Sequence, residues 1–375
     1  MNLDPVFVAA RRTPIGTAGH GFADLTVTDL AAPVLASVAG ALREAGVDLP
    51  IDDVVLGNCL GPGGDPARVA ALQAGLGPQV PGVTVDRQCG SGLDAVIQAA
   101  LRIRSGADRL ILAGGAESAS TAPWRFWPPE AGADPVRYTR APFAPAGFPD
   151  PDMGVAADDL ARRRGISRER QDEYAARSHT LAAAADFTPE IVPVAGVYRD
   201  QRIRAGMTTA RLGRLRPGFG TDGTATAGNS CGISDGAAVV AVTTAHEAAG
   251  LPALRIVATA VAAGDPALPG LGPVPAIRAV LRRAGRTVSD IGVVEITEAF
   301  ASVVLAVSDE LGLDESLICP DGGAIAMGHP WGASGAVLLV RLASRMLRPD
   351  GPELGLAACA IGGGQGVAML VERAA

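Results

Sequence analysis

Apolar residues return at Leu93, Val96, Ile97, Ala100 and Leu101, the spacing of one helical face. Gly106 is placed to stop that helix. The runs Val83–Val85 before it and Leu110–Gly115 after it are short and apolar or β-branched, so they predict flanking strands. Cys89 falls between the first strand and the helix, with Gly90 and Gly92 beside it. A second buried helix is predicted from about Gly332, after the glycine-rich "DGGAIAMGHP". A last apolar strand, "LGLAACAIGGG", ends in three glycines.

These patterns occur twice. "ALREAGVDLPIDDVVLGN" and "VLRRAGRTVSDIGVVEIT" align so that Ala45-Gly46 with Ala284-Gly285, and Val54-Val55 with Val293-Val294, share one offset. The later pairs Ser91-Gly92 and Ser334-Gly335 depart from it by only four residues. Each half then gives a strand running into glycines. A fixed order of similar elements is the mark of an internal repeat. It predicts two α/β halves, residues 1–118 with 232–250 and residues 251–375. Between them, residues 119–231 carry Trp124, Trp127 and clustered prolines, and a charged helical piece that Ser167 can cap. This segment reads as an inserted loop domain.

The 375 residues are 48% hydrophobic and 19% charged, enough for a large core. The net charge of −7 and the absence of any basic run argue against nucleic acid as a partner. Every basic side chain other than histidine is arginine. Cys59, Cys89, Cys231, Cys319 and Cys359 are odd in number and never in C-x-x-C spacing, so neither a disulfide framework nor a zinc site is expected. The N-terminus lacks the form of a secretory signal, and no apolar run has the length of a membrane span. A cytoplasmic protein with no membrane partner and no metal is the expectation.

Candidate chemistry gathers at the glycine-flanked positions. At a helix start, unpaired N–H groups favour an anion, which would lower the pKa of the Cys89 thiol and make it a nucleophile. A core cysteine is the plainer reading of that residue alone. His329 precedes Pro330 on a loop before the second helix, within a few residues of the place Cys89 occupies in the first half. Two halves related by an approximate two-fold axis would bring them face to face, and a Cys-His pair can ionise a thiol. Gly362, Gly363 and Gly364 offer backbone N–H groups for an oxyanion, or merely close packing. Glu298 follows a strand, a weak signal by itself. "GNSCG" fits the G-x-S-x-G of a serine hydrolase around Ser230, but no clear helix follows. Neither a P-loop nor a G-x-G-x-x-G strand-to-helix fingerprint is present.

Taken together, "RRTPIG", "DPARVAAL", "CGSGLDAV", "AGGAES", "DGTATAGN", "GLGPVPA", "TEAF", "GGAIAMGHPWGASGA" and "IGGGQG" make the chain resemble the thiolase family of acyl-CoA C-acyltransferases over nearly its whole length. The resemblance implies two βαβαβ halves in a layered αβαβα arrangement with an inserted loop domain. It implies a β-ketoacyl thioester formed or cleaved through an acyl-cysteine. Cys89 would be the nucleophile, His329 its activator, and the N–H groups of Cys89 and Gly362 the oxyanion hole. Coenzyme A thioesters would be substrates, with no separate cofactor. The acyl group could also arrive on a carrier protein, and a homodimer or homotetramer is implied.

The sequence departs from the family pattern at several places. Thr297 stands for the usual asparagine before Glu-Ala-Phe, Cys231 for a serine, Pro269 for a methionine and Trp124 for a frequent histidine. Ala360 stands for the second, proton-moving cysteine, with Cys359 one residue early. A regular strand would turn Ala360 to the site and Cys359 to the core, whereas a bulge would return Cys359 to the site. Thr297 and Cys231 are expected on the substrate-binding side, and Cys359 is the candidate for the second acid–base role. The alternatives are a Cys-His relative that transfers or hydrolyses acyl groups without carbon–carbon chemistry, and a non-catalytic acyl-CoA-binding subunit.

Overall fold

The fold was analysed as a computed structural model that describes residues 3–129, 131–248 and 250–374. The first half runs β1 (Pro5–Arg12), β2 (Gly16–Thr17), α1 (Val27–Glu44), β3 (Asp53–Gly57), α2 (Pro66–Gln73), β4 (Gly82–Val85), α3 (Ser91–Ser105) and β5 (Leu110–Glu117). A long connection holds β6 (Arg125–Trp127), β7 (Val136–Tyr138), α4 (Met153–Arg164), α5 (Arg168–Ala184) and α6 (Thr209–Leu212), and leads into β8 (Ser234–Thr244). Then come β9 (Leu254–Ala263), α7 (Pro273–Ala284), β10 (Val293–Ile296), α8 (Ala301–Leu311), α9 (Ala324–Met327), α10 (Trp331–Met346), β11 (Leu354–Ile361) and β12 (Gln365–Arg373).

The pairing repeats. β3 lies parallel to β5, which is antiparallel to β8, which is antiparallel to β1. In the same order β10 is parallel to β11, β11 antiparallel to β12 and β12 antiparallel to β9. A single parallel bridge, Val294 to Ile318, takes the place of β4 beside β3. The two sets meet where Val6 pairs with Arg255 and Phe7 with Leu254. The helix stops repeat as well: Gly46 and Gly285 both take φ near the left-handed region, at 79° and 63°, which glycine enters without a Cβ penalty.

Three hydrophobic clusters give five layers. α3 and α10 pack between the inner faces of the two strand sets. α1 and α2 cover the outer face of the first set, and α7 and α8 that of the second. Strands β5 and β8 are buried along their full lengths, which is why they read as continuous apolar runs rather than alternating ones. Ser167 caps α5 by accepting from the Arg170 N–H at 3.2 Å. One detail of the sequence reading fails: Leu101 is 51% exposed, while Ala99 and Ile103 are buried. The inner face of α3 is therefore rotated towards Ala99 and Ile103.

A buried ion network ties the long connection to both halves. Arg12 on β1 binds Glu190 at 2.6 Å and Asp200 at 2.7 Å, and Glu190 also binds Arg341 of α10. Burial opposes the charge on Arg12, but the two carboxylates and their hydrogen bonds outweigh it and raise its pKa.

Candidate active site

The central helices touch at their first turns. A Cβ at Gly92 would lie 2.8 Å from the Gly332 carbonyl oxygen and 2.9 Å from the Ala336 nitrogen. A Cβ at Gly335 would lie 2.3 Å from the Leu93 nitrogen. Each glycine thus faces the residue that follows the other glycine, the signature of a local two-fold axis. Cys89 precedes this crossing on one side and His329 on the other.

Cys89 sits on a tight turn. Gln88 before it takes φ of 50°, a strained value for a residue with a side chain. The Ser91 hydroxyl holds the turn, accepting from the Arg87 N–H at 2.7 Å and donating to the Gln88 carbonyl at 2.6 Å. The expected depression of the thiol pKa is not found. Burial pushes it up, and the nearby thiols of Cys359 and Cys231 add to the rise, while the residue's own N–H pulls the other way. The low-dielectric enclosure outweighs the helix start, so Cys89 rests as a protonated thiol that needs a base.

His329 is buried, and burial lowers its pKa to about 4, so its imidazole is neutral at neutral pH. Its Nδ1 lies 2.5 Å from Ser334 Oγ, and that hydroxyl is 3.1 Å from the Pro330 carbonyl it can donate to. With the serine proton spent on Pro330, Nδ1 carries the hydrogen and Nε2 keeps a lone pair. Nε2 has no hydrogen-bond partner among the described residues. The His329 N–H donates to the Gly232 carbonyl at 3.1 Å, which anchors it beside Cys231.

The third wall is β11. Its register against β12 runs without a shift from Leu354–Glu372 to Ile361–Gln365. The regular strand does not have the consequence expected of it. Ala357, Cys359 and Ile361 face the central layer, whereas Ala358 and Ala360 face the outer cluster. A Cβ on Gly90 would meet Ile361 at 2.5 Å and Val367, the strand partner of Cys359, at 3.0 Å. The Cys89 turn therefore covers the face that carries Cys359, because the central layer and the cysteine turn are on the same side of the sheet. Cys359 Sγ is 3.0 Å from Thr297 Oγ1, and burial raises the thiol to about 12. Cys231 is raised to about 12 by burial, against the pull of Arg202, and its N–H donates to Ala299. Gly362 lies under the Phe143 ring, 2.5 Å from where a Cβ would be, so the inserted segment reaches the glycine turn.

Cys89, Cys359, Cys231, Thr297 and His329 are thus assembled around one helix crossing. Trp124 is not part of it; it is 71% exposed, with the Arg137 guanidinium 4.0 Å over its ring. Ser230 leads into strand β8 rather than a helix, so the serine-elbow geometry is missing. Among the described residues, no group of three or more His, Cys, Asp and Glu side chains is arranged to hold a metal. No described helix is long and apolar enough to cross a membrane.

The family models for the thiolase N-terminal domain and the thiolase C-terminal domain match residues 5–246 and 251–373. The chain belongs to the thiolase family. This thiolase is 42% identical to an acetyl-CoA acetyltransferase of Escherichia coli, with 98% of each chain covered. It is 40% identical to one of Pseudomonas aeruginosa, with 99% of each covered. The crystal structure of the Bacillus anthracis acetyl-CoA acetyltransferase superimposes with a TM-score of 0.90 at 36% identity, over 100% of this chain and 99% of that one. The thiolase is accordingly an acyl-CoA C-acyltransferase, and the non-catalytic alternative is not favoured.

Two buried carboxylates support the site of the thiolase: Glu117 escaped the sequence reading, and Glu298 gave only a weak signal there. Glu117, at the end of β5, accepts from Asn58 Nδ2 at 2.8 Å, from the N–H groups of Cys59 and Leu60 at 3.1 and 3.0 Å, and from Gly332 N–H at 2.9 Å. It pins the start of α10 to the first half. Glu298 accepts from Tyr174 at 2.7 Å, Ser178 at 2.8 Å and the Ile325 N–H at 3.0 Å, and so fixes the loop leading to His329. Their only sequence signal is a carboxylate at the end of an apolar strand.

Proposed function

We propose that acyl transfer runs through a thioester on Cys89. The assembly of Cys89, Cys359 and His329 at one helix crossing carries this reading. His329 Nε2 takes the Cys89 proton as the sulfur attacks the carbonyl of an acyl thioester. The Nδ1–H of the resulting imidazolium points to Ser334 Oγ. N–H groups of Cys89 and Gly362 receive the carbonyl oxygen as it becomes an anion. The coenzyme A sulfur departs and takes up the proton that His329 held. In the second half-reaction Cys359, whose thiol touches Thr297, exchanges a proton at the α-carbon of a second acyl thioester, and that carbon joins the acyl group. The reverse path cleaves a β-ketoacyl thioester with coenzyme A.

The relatives' names make acetyl-CoA the first donor to test, and a carrier protein could present the same acyl group. We place the enzyme in the cytoplasm as a homodimer or homotetramer. We also divide it at residues 118, 231 and 250 into two halves and a loop domain. The test is intact-protein mass spectrometry after mixing with acetyl-CoA, followed by peptide mapping. One acetyl group on Cys89 is expected, absent in Cys89→Ser. In His329→Ala, acylation should slow by about 10²–10⁴-fold, the usual worth of a general base or oxyanion group. No adduct with any acyl-CoA tested, or an adduct mapped to another cysteine, would refute the reading.

A further inference from the structure

Two buried polar atoms without partners line one small cavity. Glu295 of β10 is 1% exposed, and its Oε1 has no hydrogen-bond partner among the described residues. Arg341 of α10 is 1% exposed, and its Nε has no partner among the described residues either, although its other two nitrogens hold Glu190 and Asp321. Both side chains line the same cavity. The space open to the centre of a water molecule is about 20 Å³, and roughly 10–15 Å³ is enough for one water. Buried polar groups left without protein partners are where ordered water resides. The other hydroxyls on the cavity wall belong to Thr297 and Ser334, the residues that touch Cys359 and His329.

We propose that Glu295 is a positioning residue for the Cys89 site: in its protonated form it binds one water against Arg341, and this water holds the Thr297 and Ser334 hydroxyls toward Cys359 and His329. The proposal rests on the acyl-cysteine reading. The hydrogen bonds balance. The water accepts from Arg341 Nε–H and from the Glu295 O–H. It donates to Thr297 Oγ1, whose own proton points to Cys359, and to Ser334 Oγ, which has a lone pair left after receiving His329 Nδ1–H. The charges around Glu295 agree with a proton on it. Burial is the largest influence and raises its pKa to about 8. Arg341 from α10 lowers it, while Asp321 from the segment before α9, Glu298 from the turn after β10 and Glu190 from the long connection raise it. Cys319, also before α9, faces it as a neutral thiol whose own pKa is pushed up by burial and by Glu295. Arg341 already serves two other carboxylates.

Above its pKa, Glu295 cannot donate to the water, so the wild-type carbon–carbon step should slow as pH rises through about 8. Both half-reactions are measured from about pH 6 to 9 in wild type, Glu295→Gln and Glu295→Leu. Gln keeps a donor and is expected to retain both rates within a few-fold while losing the alkaline fall. Leu fills the cavity with apolar atoms and is expected to lower kcat by about 10-fold or more with KM for acetyl-CoA unchanged, as a loss of positioning would. Infrared difference spectra of wild type against Glu295→Gln at pH 7 should show a carboxylic-acid carbonyl band. A carboxylate band instead, an alkaline fall shared by the Gln variant, or a Leu variant with wild-type kcat overturns the proposal. If the Leu variant does not fold, the spectra and the Gln pH profile decide. Failure of wild type to acylate Cys89 would break the acyl-cysteine reading, and the infrared band would still decide the state of Glu295.

Discussion

Replacing Gly92 with alanine tests whether the spacing of the central helices sets the chemistry. In an exposed helix the change stabilises by about 1 kcal/mol. Gly40, inside α1 with nothing within 4 Å of an added Cβ, is the matched control and should show that gain. At Gly92 the new methyl would stand 2.8 Å from the Gly332 oxygen and 2.9 Å from the Ala336 nitrogen, both backbone atoms that no rotamer can move. Ordinary contact begins near 3.4 Å, so α3 and α10 must part by roughly 0.6 Å. Overpacking of this kind costs about 1–3 kcal/mol, which leaves a net loss of about 0–2 kcal/mol after the propensity gain. The larger effect is chemical. Cys89 and His329 lead directly into the two helices that separate, and misplacement on the order of 1 Å can cost about 100-fold in rate. We expect Gly92→Ala to acylate Cys89 about 10- to 100-fold more slowly while its urea midpoint falls only modestly. A Gly92→Ala protein that matches Gly40→Ala in stability and wild type in acylation would refute the reasoning.

Two further outcomes follow from side chains already placed. Cys359→Ala should leave Cys89 acylation within a few-fold but slow the carbon–carbon step by about 10²–10⁴-fold; equal slowing of both half-reactions would make Cys359 a packing residue. Arg12→Ala leaves Asp200 and Glu190 buried beside no cation on that side, and should cost about 3–5 kcal/mol in denaturant unfolding; a loss below about 1 kcal/mol would mean the network reorganises around Arg341.

The repeat was legible because glycine stops and Val-Val strand starts survive in both halves, at Gly46 and Gly285 and at Val54 and Val293. Cys89 and His329 were legible for the same reason, since each sits beside a glycine-rich helix start. The thiol's resting state was not. Helix position is written in the sequence, but enclosure by Cys231 from the loop before β8 and by Cys359 from β11 is a tertiary fact. The face of Cys359 was misread because strand alternation says which residues share a face but not which face the cysteine turn covers. Glu117 and Glu295 were missed because a carboxylate buried at a strand looks, in sequence, like any acid near a turn.

The crossing at Gly92 and Gly335 has a further consequence. Neither half can bury its own central helix, since each helix lies between its own strands and those of the other half. A half-length chain would therefore have to pair with a copy of itself. Identical copies must carry the same residue at both helix starts, two thiols or two imidazoles. Because this chain encodes the two halves separately, one start can be Cys89 and the other His329, so the nucleophile and its base depend on the two halves having ceased to be equal.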